Sequence, residues 1–496
     1  MLVQSGKPIA MWGWADVGEK VTILQGDKRL AETLGAGKGQ AWRVELPAQQ
    51  PGKIADIVVA ASNTISLTNI LAGEVWLCSG QSNMQMPLQK GPWSWYGGVV
   101  DAETTIREAG ADAGIRFFRE RTGYSGKPSQ RPAGEWVVAS SEIAPQLPAV
   151  PYFFARHLRS ALGAPVGVIV STFGGTILEC WVPPRKLEED TAHKQARTKA
   201  DATVAELRPI SKADEEAVSE WKKQSQAAPN GGGQPPKPTP QLVGGQRVAL
   251  EEALALTRSG LLYNGKIHSL APFTIKGVLW YQGESNAGRS IGYSPLLQSL
   301  IEGWREDWGN AELPFIIVCL AGWAGSQGST GDALDFAFLR EAQIATAQRV
   351  DHVGIVSAVD LGDRKDLHPP DKKPVGQRAG SWALANVYGR GGISGGPVFG
   401  DVAFLQGKAL VPVIANADGL VLRGNSGFEL GDSAGKFASA TAKLTGNRIE
   451  VVAQDIAAPV ALRYAFRNDP ECTVYNAAGL PALPFRTDKE QPTAGQ

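Results

Sequence analysis

Several residue types and patterns that mark large classes of protein are scarce in this sequence of 496 residues. Only four cysteines are present, and none belongs to a Cys-x-x-Cys pair. We therefore predict no metal site of that type and expect each cysteine to be a small buried apolar residue, although one disulfide is compatible with this number. No apolar run is long enough to span a bilayer, so membrane insertion is not expected.

Excess charge of one sign is missing too, because 49 Lys and Arg residues balance 49 Asp and Glu residues. This balance gives no electrostatic reason to expect nucleic acid or an anionic membrane as a partner. No signal peptide begins at Met1, and we expect a secreted or periplasmic protein whose leader is absent from this chain. Histidine-dependent chemistry must use one of five residues: His157, His193, His268, His352 and His368.

The length predicts at least two domains, and both ends of the chain are rich in β-type segments. We predict an N-terminal β-sandwich-like domain over residues 1–72 and a C-terminal β region over residues 392–496. Because domain termini often lie close together, these two regions are expected to form one small β domain. The predicted strands are Ala10–Trp14, Lys20–Gln25, Ala41–Leu46, Ile54–Ala60, Ala409–Ile414, Gly419–Arg423, Arg448–Ala453 and Val460–Ala465.

Between these regions, residues 73–391 alternate apolar strands with amphipathic helices, which predicts an α/β fold with a doubly wound parallel sheet. Ligands of such sheets bind at the carboxyl ends of the strands, so functional residues are expected just after them. The predicted strands are Val75–Cys78, Val166–Ser171, Ile275–Tyr281, Pro314–Leu320 and Val353–Val359. The predicted helices are Ala149–Leu162, Ala333–Gln348, Pro374–Tyr388 and a helix with Ser294 as N-cap that runs to about Trp308.

Residues 186–256 interrupt this alternation and form a predicted insertion. The first part is rich in Lys, Glu and Ala, which predicts an exposed helical excursion, and Ala227–Pro240 is rich in Pro and Gly, which predicts a flexible loop. A surface insertion is the simpler interpretation. A flap over the active site is the alternative.

Ser82 lies in the run Gly80–Met84 (GQSNM), directly after the predicted strand Val75–Cys78. A serine in a glycine-led turn at a strand end is exposed and can act as a nucleophile when a base lies nearby. The same turn brings backbone N–H groups close to the serine, which is half of an oxyanion hole. An ordinary helix-capping serine is the alternative.

His368 lies in the run Asp366–Pro369 (DLHP), in the loop after the last predicted strand. An imidazole near its ordinary pKa suits proton transfer from a serine hydroxyl, and a nearby carboxylate would fix its tautomer. A solvated loop histidine is the alternative.

Two further motifs follow predicted strands. The glycines of Gly174–Thr176 (GGT) allow backbone N–H groups to approach a ligand, and Gln282–Asn286 (QGESN) offers side-chain amides for an oxyanion hole. Each has a plain alternative, a tight turn or a loop cap. Together, four motifs at the ends of four strands predict an active site there.

These runs resemble sequence blocks of the sialate O-acetylesterases, which belong to the SGNH hydrolases. The resemblance covers nearly the whole chain apart from the insertion. It rests on Gly73–Met84 (GEVWLCSGQSNM), Gly174–Thr176 with Glu179 and Trp181, Trp280–Asn286 (WYQGESN), Leu361–Asp363 (LGD) with His368 and Pro369, Trp12–Ala15 (WGWA), Arg463–Ala465 (RYA) and Gly479–Ala482 (GLPA).

The resemblance implies an SGNH (flavodoxin-like) fold and a serine esterase that removes O-acetyl groups from carbohydrates without a cofactor or metal. Ser82 would attack the ester to form an acetyl-serine, and His368 would be the general base. The oxyanion would be held by backbone N–H groups of Ser82 and Gly175, or Gly174 instead, and by the side chain of Gln282. Asn286 is the second choice for that side-chain donor.

One departure from the family pattern concerns the third member of the triad. SGNH hydrolases commonly carry Asp three residues before the histidine, but position 365 is Lys. The nearest acid is Asp366, which we favour over Asp363 because it is closer in the same loop. The alternative is that a backbone carbonyl orients the ring.

The predicted substrate is an acetylated carbohydrate, with sialate first and acetylxylan or another polysaccharide as the alternative. Arg289 offers a cation that would pair with the sialate carboxylate, or is simply a surface residue. A third interpretation is a non-catalytic carbohydrate-binding protein. The presence of intact Ser82, His368 and Gln282 argues against it.

Overall fold

The computed structural model describes residues 1–37, 39–91, 96–110, 113–227, 235–325 and 334–492. The strands are β1 (Leu2–Gln4), β2 (Ile9–Gly13), β3 (Lys20–Gln25), β4 (Lys28–Leu34), β5 (Trp42–Leu46), β6 (Gly52–Ile54), β7 (Ile57–Ala60), β8 (Thr64–Leu67), β9 (Ile70–Gly80), β10 (Ile115–Glu120), β11 (Gly134–Val138), β12 (Val166–Thr172), β13 (Gly277–Tyr281), β14 (Phe315–Cys319), β15 (Val353–Ser357), β16 (Val398–Phe399), β17 (Ala403–Leu405), β18 (Lys408–Ala415), β19 (Val421–Leu422), β20 (Phe428–Gly431), β21 (Phe437–Thr445), β22 (Arg448–Val452), β23 (Ala461–Tyr464), β24 (Val474–Tyr475) and β25 (Phe485–Arg486). The α-helices are α1 (Ser82–Gln85), α2 (Ala102–Ala109), α3 (Ala149–Leu162), α4 (Pro184–Glu189), α5 (Thr191–Ala227), α6 (Gly244–Leu256), α7 (Tyr293–Asp307), α8 (Asp335–Arg349) and α9 (Lys373–Asn386).

The central sheet has the strand order β11-β10-β12-β9-β13-β14-β15. Every neighbouring pair is parallel except the edge pair of β10 and β11. The order β12-β9-β13-β14-β15 is the 2-1-3-4-5 arrangement of doubly wound sheets, in which the chain changes direction beside the first strand. The predicted α/β class with a parallel sheet is therefore confirmed, and the end of β9 lies at the switch point where ligands bind.

The central strands form because both faces of the sheet are buried. Trp76 in β9 packs edge-on against Phe154 in α3, with ring centroids 5.1 Å apart. On the opposite face, Trp280 in β13 packs against Trp304 in α7 with a centroid separation of 5.8 Å. All four side chains are almost fully buried. Apolar runs on both faces are what a helix-covered parallel sheet requires, and each aromatic ring buries roughly 150–250 Å².

The N-terminal region is joined to the central sheet through β9. The start of β9 pairs in parallel with β1 and antiparallel with β6, whereas its end lies between β12 and β13. The other strands form the pair β2-β5 and the sheet β4-β3-β7-β8 around their own buried cluster. The predicted strand Lys20–Gln25 matches β3 residue for residue.

The C-terminal region forms a separate antiparallel sheet with the order β16-β18-β22-β21-β20-β23-β25. We predicted that the two terminal regions form one small β domain. Within the described ranges, however, they share no sheet, and each has its own cluster of buried apolar side chains. The C-terminal region instead contacts the α/β core, where the buried Arg340 of α8 donates to the carbonyls of Arg467 and Asn468.

The insertion contains two packed helices, of which only α5 lies in the part whose composition predicted a helix. Helix α5 has 37 residues with Pro209 inside, and it packs on α6 through a small cluster that includes Leu207 and Leu250. Half of the predicted loop Ala227–Pro240 lies outside the described residues, because 228–234 are not described. No helix in the described ranges is both long and apolar enough to cross a membrane.

The predicted N-cap of α7 is wrong. Helix α7 begins at Tyr293 with Gly292 as its N-cap, so Ser294 lies inside the first turn. The Ser294 hydroxyl is buried and accepts a hydrogen bond of 2.9 Å from the Thr346 hydroxyl of α8. A tertiary hydrogen bond, rather than a cap, therefore accounts for this serine.

Candidate active site

Strand register brings three of the four motifs side by side. Gly80 at the end of β9 is paired with Thr172 of β12 and with Tyr281 of β13. The next residues of these three strands begin the loops that contain Ser82, Gly174 and Gln282. These loops must therefore start at one edge of the sheet, as the strand-end rule predicts.

Ser82 is the first residue of α1 and is largely buried. The sharp turn before it requires glycine, since Gly80 has a φ of 137° and a β-carbon there would lie 2.1 Å from the carbonyl oxygen of Tyr281. The turn aims the Ser82 hydroxyl at the loop that follows β15. There the Ser82 Oγ lies 2.8 Å from the His368 Nε2, which is hydrogen-bonding distance.

The His368 ring is held in a partly buried position. Tyr96 packs edge-to-face against it, with ring centroids 4.9 Å apart. Burial lowers the pKa of His368 and the Lys372 ammonium lowers it further, while Asp366 acts in the opposite direction. The imidazole is therefore neutral at neutral pH, and its Nε2 can accept the Ser82 proton.

The two candidate acids occupy different positions in the histidine loop. The Asp366 Oδ1 accepts the backbone N–H of His368 at 2.8 Å and lies 3.9 Å from the ring Nδ1. That second distance is too long for a hydrogen bond but permits electrostatic attraction. The Asp363 Oδ1 instead accepts the backbone N–H groups of Lys365 and Asp366, at 2.8 and 3.2 Å, and so stabilises the turn.

The glycine loop lies beside the serine. A β-carbon on Gly174 would lie 3.5 Å from the β-carbon of Ser82. The Gly174 N–H donates to the Gln85 Oε1 at 3.1 Å and is therefore occupied. The Gly175 N–H has no acceptor within the described residues, and the φ of Gly175 is 67°, in the region that favours glycine.

The Gln282 amide is fully buried and fully hydrogen-bonded. Its Nε2 donates to the Thr176 carbonyl at 2.9 Å and to the Asn286 Oδ1 at 2.8 Å, and its Oε1 accepts from the Tyr293 hydroxyl at 2.9 Å. An amide nitrogen has two hydrogens, so none is left for a ligand. The Asn286 Nδ2 donates to the Glu179 Oε2 at 3.0 Å, which uses one of its two hydrogens.

Comparison with known proteins finds similarity to carbohydrate esterases. Residues 253–379 match the family model described as "Carbohydrate esterase, sialic acid-specific acetylesterase". The mouse sialate O-acetylesterase is 26% identical over 96% of this chain and 90% of its own length, and the human enzyme is 25% identical over 96% and 88%. A carbohydrate acetylesterase structure from Xanthomonas citri is 29% identical, with a TM-score of 0.79 over 99% of this chain and 97% of that chain.

The predicted resemblance to the sialate O-acetylesterases is confirmed. So is the prediction of a carboxylic ester hydrolase. The family model of the sialic acid-specific acetylesterases spans Gln282, Asn286, Asp366 and His368, whereas Ser82 lies before the matched range. The full-length match to the sialate O-acetylesterases extends over 96% of the chain.

Arg289, the candidate partner for a sialate carboxylate, is already engaged within the protein. Its Nη1 lies 3.1 Å from the Glu179 Oε1. Glu179 is nearly buried and also accepts the hydrogen bond from Asn286. The positive charge of Arg289 is therefore balanced by a carboxylate of the chain itself.

Sequence reasoning missed two residues that touch the Ser82–His368 pair or its loop. Tyr96 packs on the His368 ring, and Lys372 donates to Asn83, the residue after the serine, at 2.6 Å. Lys372 is four positions beyond His368 in a Pro- and Lys-rich run that carries no recognisable motif. Its partner Asn83 is 289 positions away in sequence, so only the fold reveals the contact.

The four cysteines, Cys78, Cys180, Cys319 and Cys472, are all free thiols, so the structure contains no disulfide among them. Burial raises the pKa of Cys319 to about 12, which keeps the thiol protonated and unreactive at neutral pH. The described ranges contain no group of three or more His, Cys, Asp or Glu side chains that could hold a metal ion.

Proposed function

We propose that this chain is a serine carbohydrate O-acetylesterase with the SGNH (flavodoxin-like) arrangement, in which Ser82 is the nucleophile and His368 the general base. The observation that carries the proposal is the 2.8 Å contact between the Ser82 Oγ and the His368 Nε2 at the switch point of the parallel sheet. A nucleophile and a base within hydrogen-bonding distance at such a site form the arrangement needed for acyl transfer.

The reaction follows from these positions. His368 takes the hydroxyl proton of Ser82 while the Oγ attacks the acetyl carbonyl, which gives a tetrahedral oxyanion. The oxyanion collapses and breaks the bond to the sugar oxygen, which receives the proton from His368, and an acetyl-serine remains. Water, deprotonated by His368, then attacks the acetyl-serine, and acetate leaves as Ser82 regains its proton.

The oxyanion donors that the geometry favours are backbone N–H groups. Gly175 offers an N–H without an acceptor in the described chain, next to Gly174, where an added β-carbon would lie 3.5 Å from the Ser82 β-carbon. For Gln282 to donate as we predicted from the sequence, its bond to Thr176 or Asn286 has to break. We therefore assign Gln282 to holding the loop, and Ser82 and Gly175 to the oxyanion.

Asp366 is the proposed acid of the triad, acting on His368 by charge rather than through a hydrogen bond to Nδ1. Its carboxylate favours the imidazolium that forms during proton transfer, and its hydrogen bond to the His368 N–H holds the loop. Asp363 supports the turn from a position where its oxygen bonds only backbone groups.

The substrate is an O-acetylated carbohydrate, as the relatives indicate. Sialate is the first candidate, because the curated relatives are sialate O-acetylesterases. The Arg289–Glu179 ion pair favours the second candidate, a neutral acetylated polysaccharide, since a paired arginine offers little to a substrate carboxylate. A secreted or periplasmic location belongs to the same proposal and is tested by cell fractionation.

A substrate panel tests the proposed function. Acetate release is measured with acetylated sialosides, acetylated xylo-oligosaccharides and a chromogenic acetate ester. Release from the chromogenic ester and at least one sugar supports the proposal, and the sugar with the highest kcat/KM selects between the candidates. Failure of the folded chain to release acetate from every substrate would exclude it.

A further inference from the structure

The Asn83 side chain connects the nucleophile turn to three other parts of the site. Its Nδ2 donates to the Leu367 carbonyl at 3.0 Å and to the Glu284 carboxylate, and its Oδ1 accepts from the Lys372 Nζ at 2.6 Å. Asn83 follows Ser82, and Leu367 precedes His368. One amide therefore joins the residue after the serine to the residue before the histidine.

The partners of this amide fix its orientation. Two acceptors, a carbonyl and a carboxylate, face Nδ2, whereas a donor faces Oδ1. A flipped amide would turn its oxygen towards the two acceptors, Leu367 and Glu284, and its NH2 group towards the Lys372 donor, so all of these bonds would be lost. Lys372 supplies the donor that makes the observed orientation the favourable one. Asn83 and Lys372 are buried and Glu284 is half-buried, so a lost bond is not replaced easily by water.

Resting on the proposed function, we propose that Lys372 is a positioning residue that acts through Asn83. By fixing the Asn83 amide, it holds the Leu367 carbonyl and with it the loop that places the His368 Nε2 beside the Ser82 Oγ. Lys372 itself touches neither the serine nor the ring through any hydrogen bond in the described residues.

Lys372 also affects His368 electrostatically. The carboxylates of Glu284, Asp366 and Asp371 act on the Lys372 ammonium by charge, and the Tyr281 ring centroid lies 5.8 Å from its Nζ. Burial lowers the pKa of Lys372 to about 7 despite these carboxylates. Below that pH Lys372 is charged, and its charge is one reason why the pKa of His368 is lowered.

Two substitutions separate positioning from simple structural support. Lys372→Met removes both the donor and the charge, whereas Lys372→Gln removes the charge but keeps an N–H donor on a shorter side chain. We expect Lys372→Met to lower kcat by about 10- to 100-fold with KM changed less than about 3-fold, because misplacement of the base costs rate rather than binding. We expect Lys372→Gln to lose less in kcat.

The pH profile gives the readout that structural damage alone would not move. Both variants lack the charge that lowers the pKa of His368. The acid limb of the profile, where kcat/KM falls because His368 becomes protonated, should therefore move to higher pH in both. Lys266→Met is the matched control. Lys266 is also buried, forms an ion pair with Glu120 and donates to the Thr122 carbonyl at 2.7 Å. Its loss should lower Tm while the acid limb stays in place.

The outcomes separate this proposal from the proposed function. Active sites are counted by titration with an organophosphate that labels the serine, so that kcat refers to folded protein. If Lys372→Met keeps the wild-type kcat and acid limb, or only lowers Tm as Lys266→Met does, the positioning proposal is overturned while the esterase proposal stands. If the wild-type protein releases no acetate and is not labelled, the proposed function has failed instead.

Discussion

Asp366 accepts the backbone N–H of His368 at 2.8 Å, but the same oxygen lies 3.9 Å from the Nδ1 of the ring. The carboxylate is thus fixed to the loop of the histidine rather than bonded to the imidazole. The contribution of Asp366 to catalysis is therefore expected to come from its charge.

Asp366→Asn removes this charge and keeps an oxygen that can accept the His368 N–H. We expect kcat to fall by at least about 10-fold. This loss should be smaller than the loss in a triad whose aspartate bonds directly to the ring. Asp363→Asn is the matched control, because asparagine oxygen preserves the turn made by bonds to Lys365 and Asp366. Its kcat should stay within about 3-fold of wild type.

Two outcomes of the Asp366→Asn and Asp363→Asn measurements would change the assignment of Asp366 as the acid. A large loss in Asp363→Asn with a mild loss in Asp366→Asn would make Asp363 the acid. Mild losses in both would indicate a Ser82–His368 dyad whose ring is oriented by the backbone.

The pH dependence of kcat/KM follows from the lowered pKa of His368. The base must be neutral, so activity should persist as pH falls to about 6.5, the ordinary histidine value, and decline only below it. The same lowered pKa means that the folded state favours the neutral form of His368. The stability that neutral His368 contributes is therefore present above about pH 6.5, and it is lost as the pH falls through the lower pKa of the folded state. A pH–rate profile at constant ionic strength measures where kcat/KM declines on the acid side. A decline that begins above about pH 6.5 would contradict the conclusion that burial lowers the pKa of His368.

Arg289→Gln tests whether the substrate carboxylate matters. Because Arg289 is paired with Glu179, we expect the substitution to change kcat/KM for an acetylated sialoside and for a neutral acetylated xylo-oligosaccharide by the same factor, within about 3-fold. Arg185→Gln, which removes a surface arginine paired with Asp307, is the control. A loss above about 10-fold that is confined to the sialoside would show that Arg289 binds the carboxylate.

The sequence predicted those parts of the site that depend on position along a strand. Ser82 and His368 follow apolar strands, and the carboxyl ends of parallel strands meet at one edge, so their proximity could be inferred without coordinates. The motif residue Gln282 was also found, but not its bonds to Thr176 and Asn286, which leave no free amide hydrogen.

Features decided by long-range packing could not be predicted. Lys372 and Tyr96 touch the site only because the fold brings distant segments together. Strand β10 escaped prediction because its run Ile115–Glu120 is interrupted by charged residues; Arg116 in it bonds the Asn69 side chain at 2.7 Å. Ser294 has the sequence signal of a helix cap, but a tertiary bond to Thr346 accounts for its position.

The most direct test of the account is acetate release by Ser82→Ala, measured against wild type on the same acetylated sugar and chromogenic ester. The substitution removes one oxygen at a largely buried position, so circular dichroism and Tm should match wild type closely. We predict that kcat falls by at least about 10³-fold, as loss of a nucleophile does in serine hydrolases. A folded variant that keeps more than about one-tenth of the wild-type kcat, far above that expectation, would show that the nucleophile lies elsewhere.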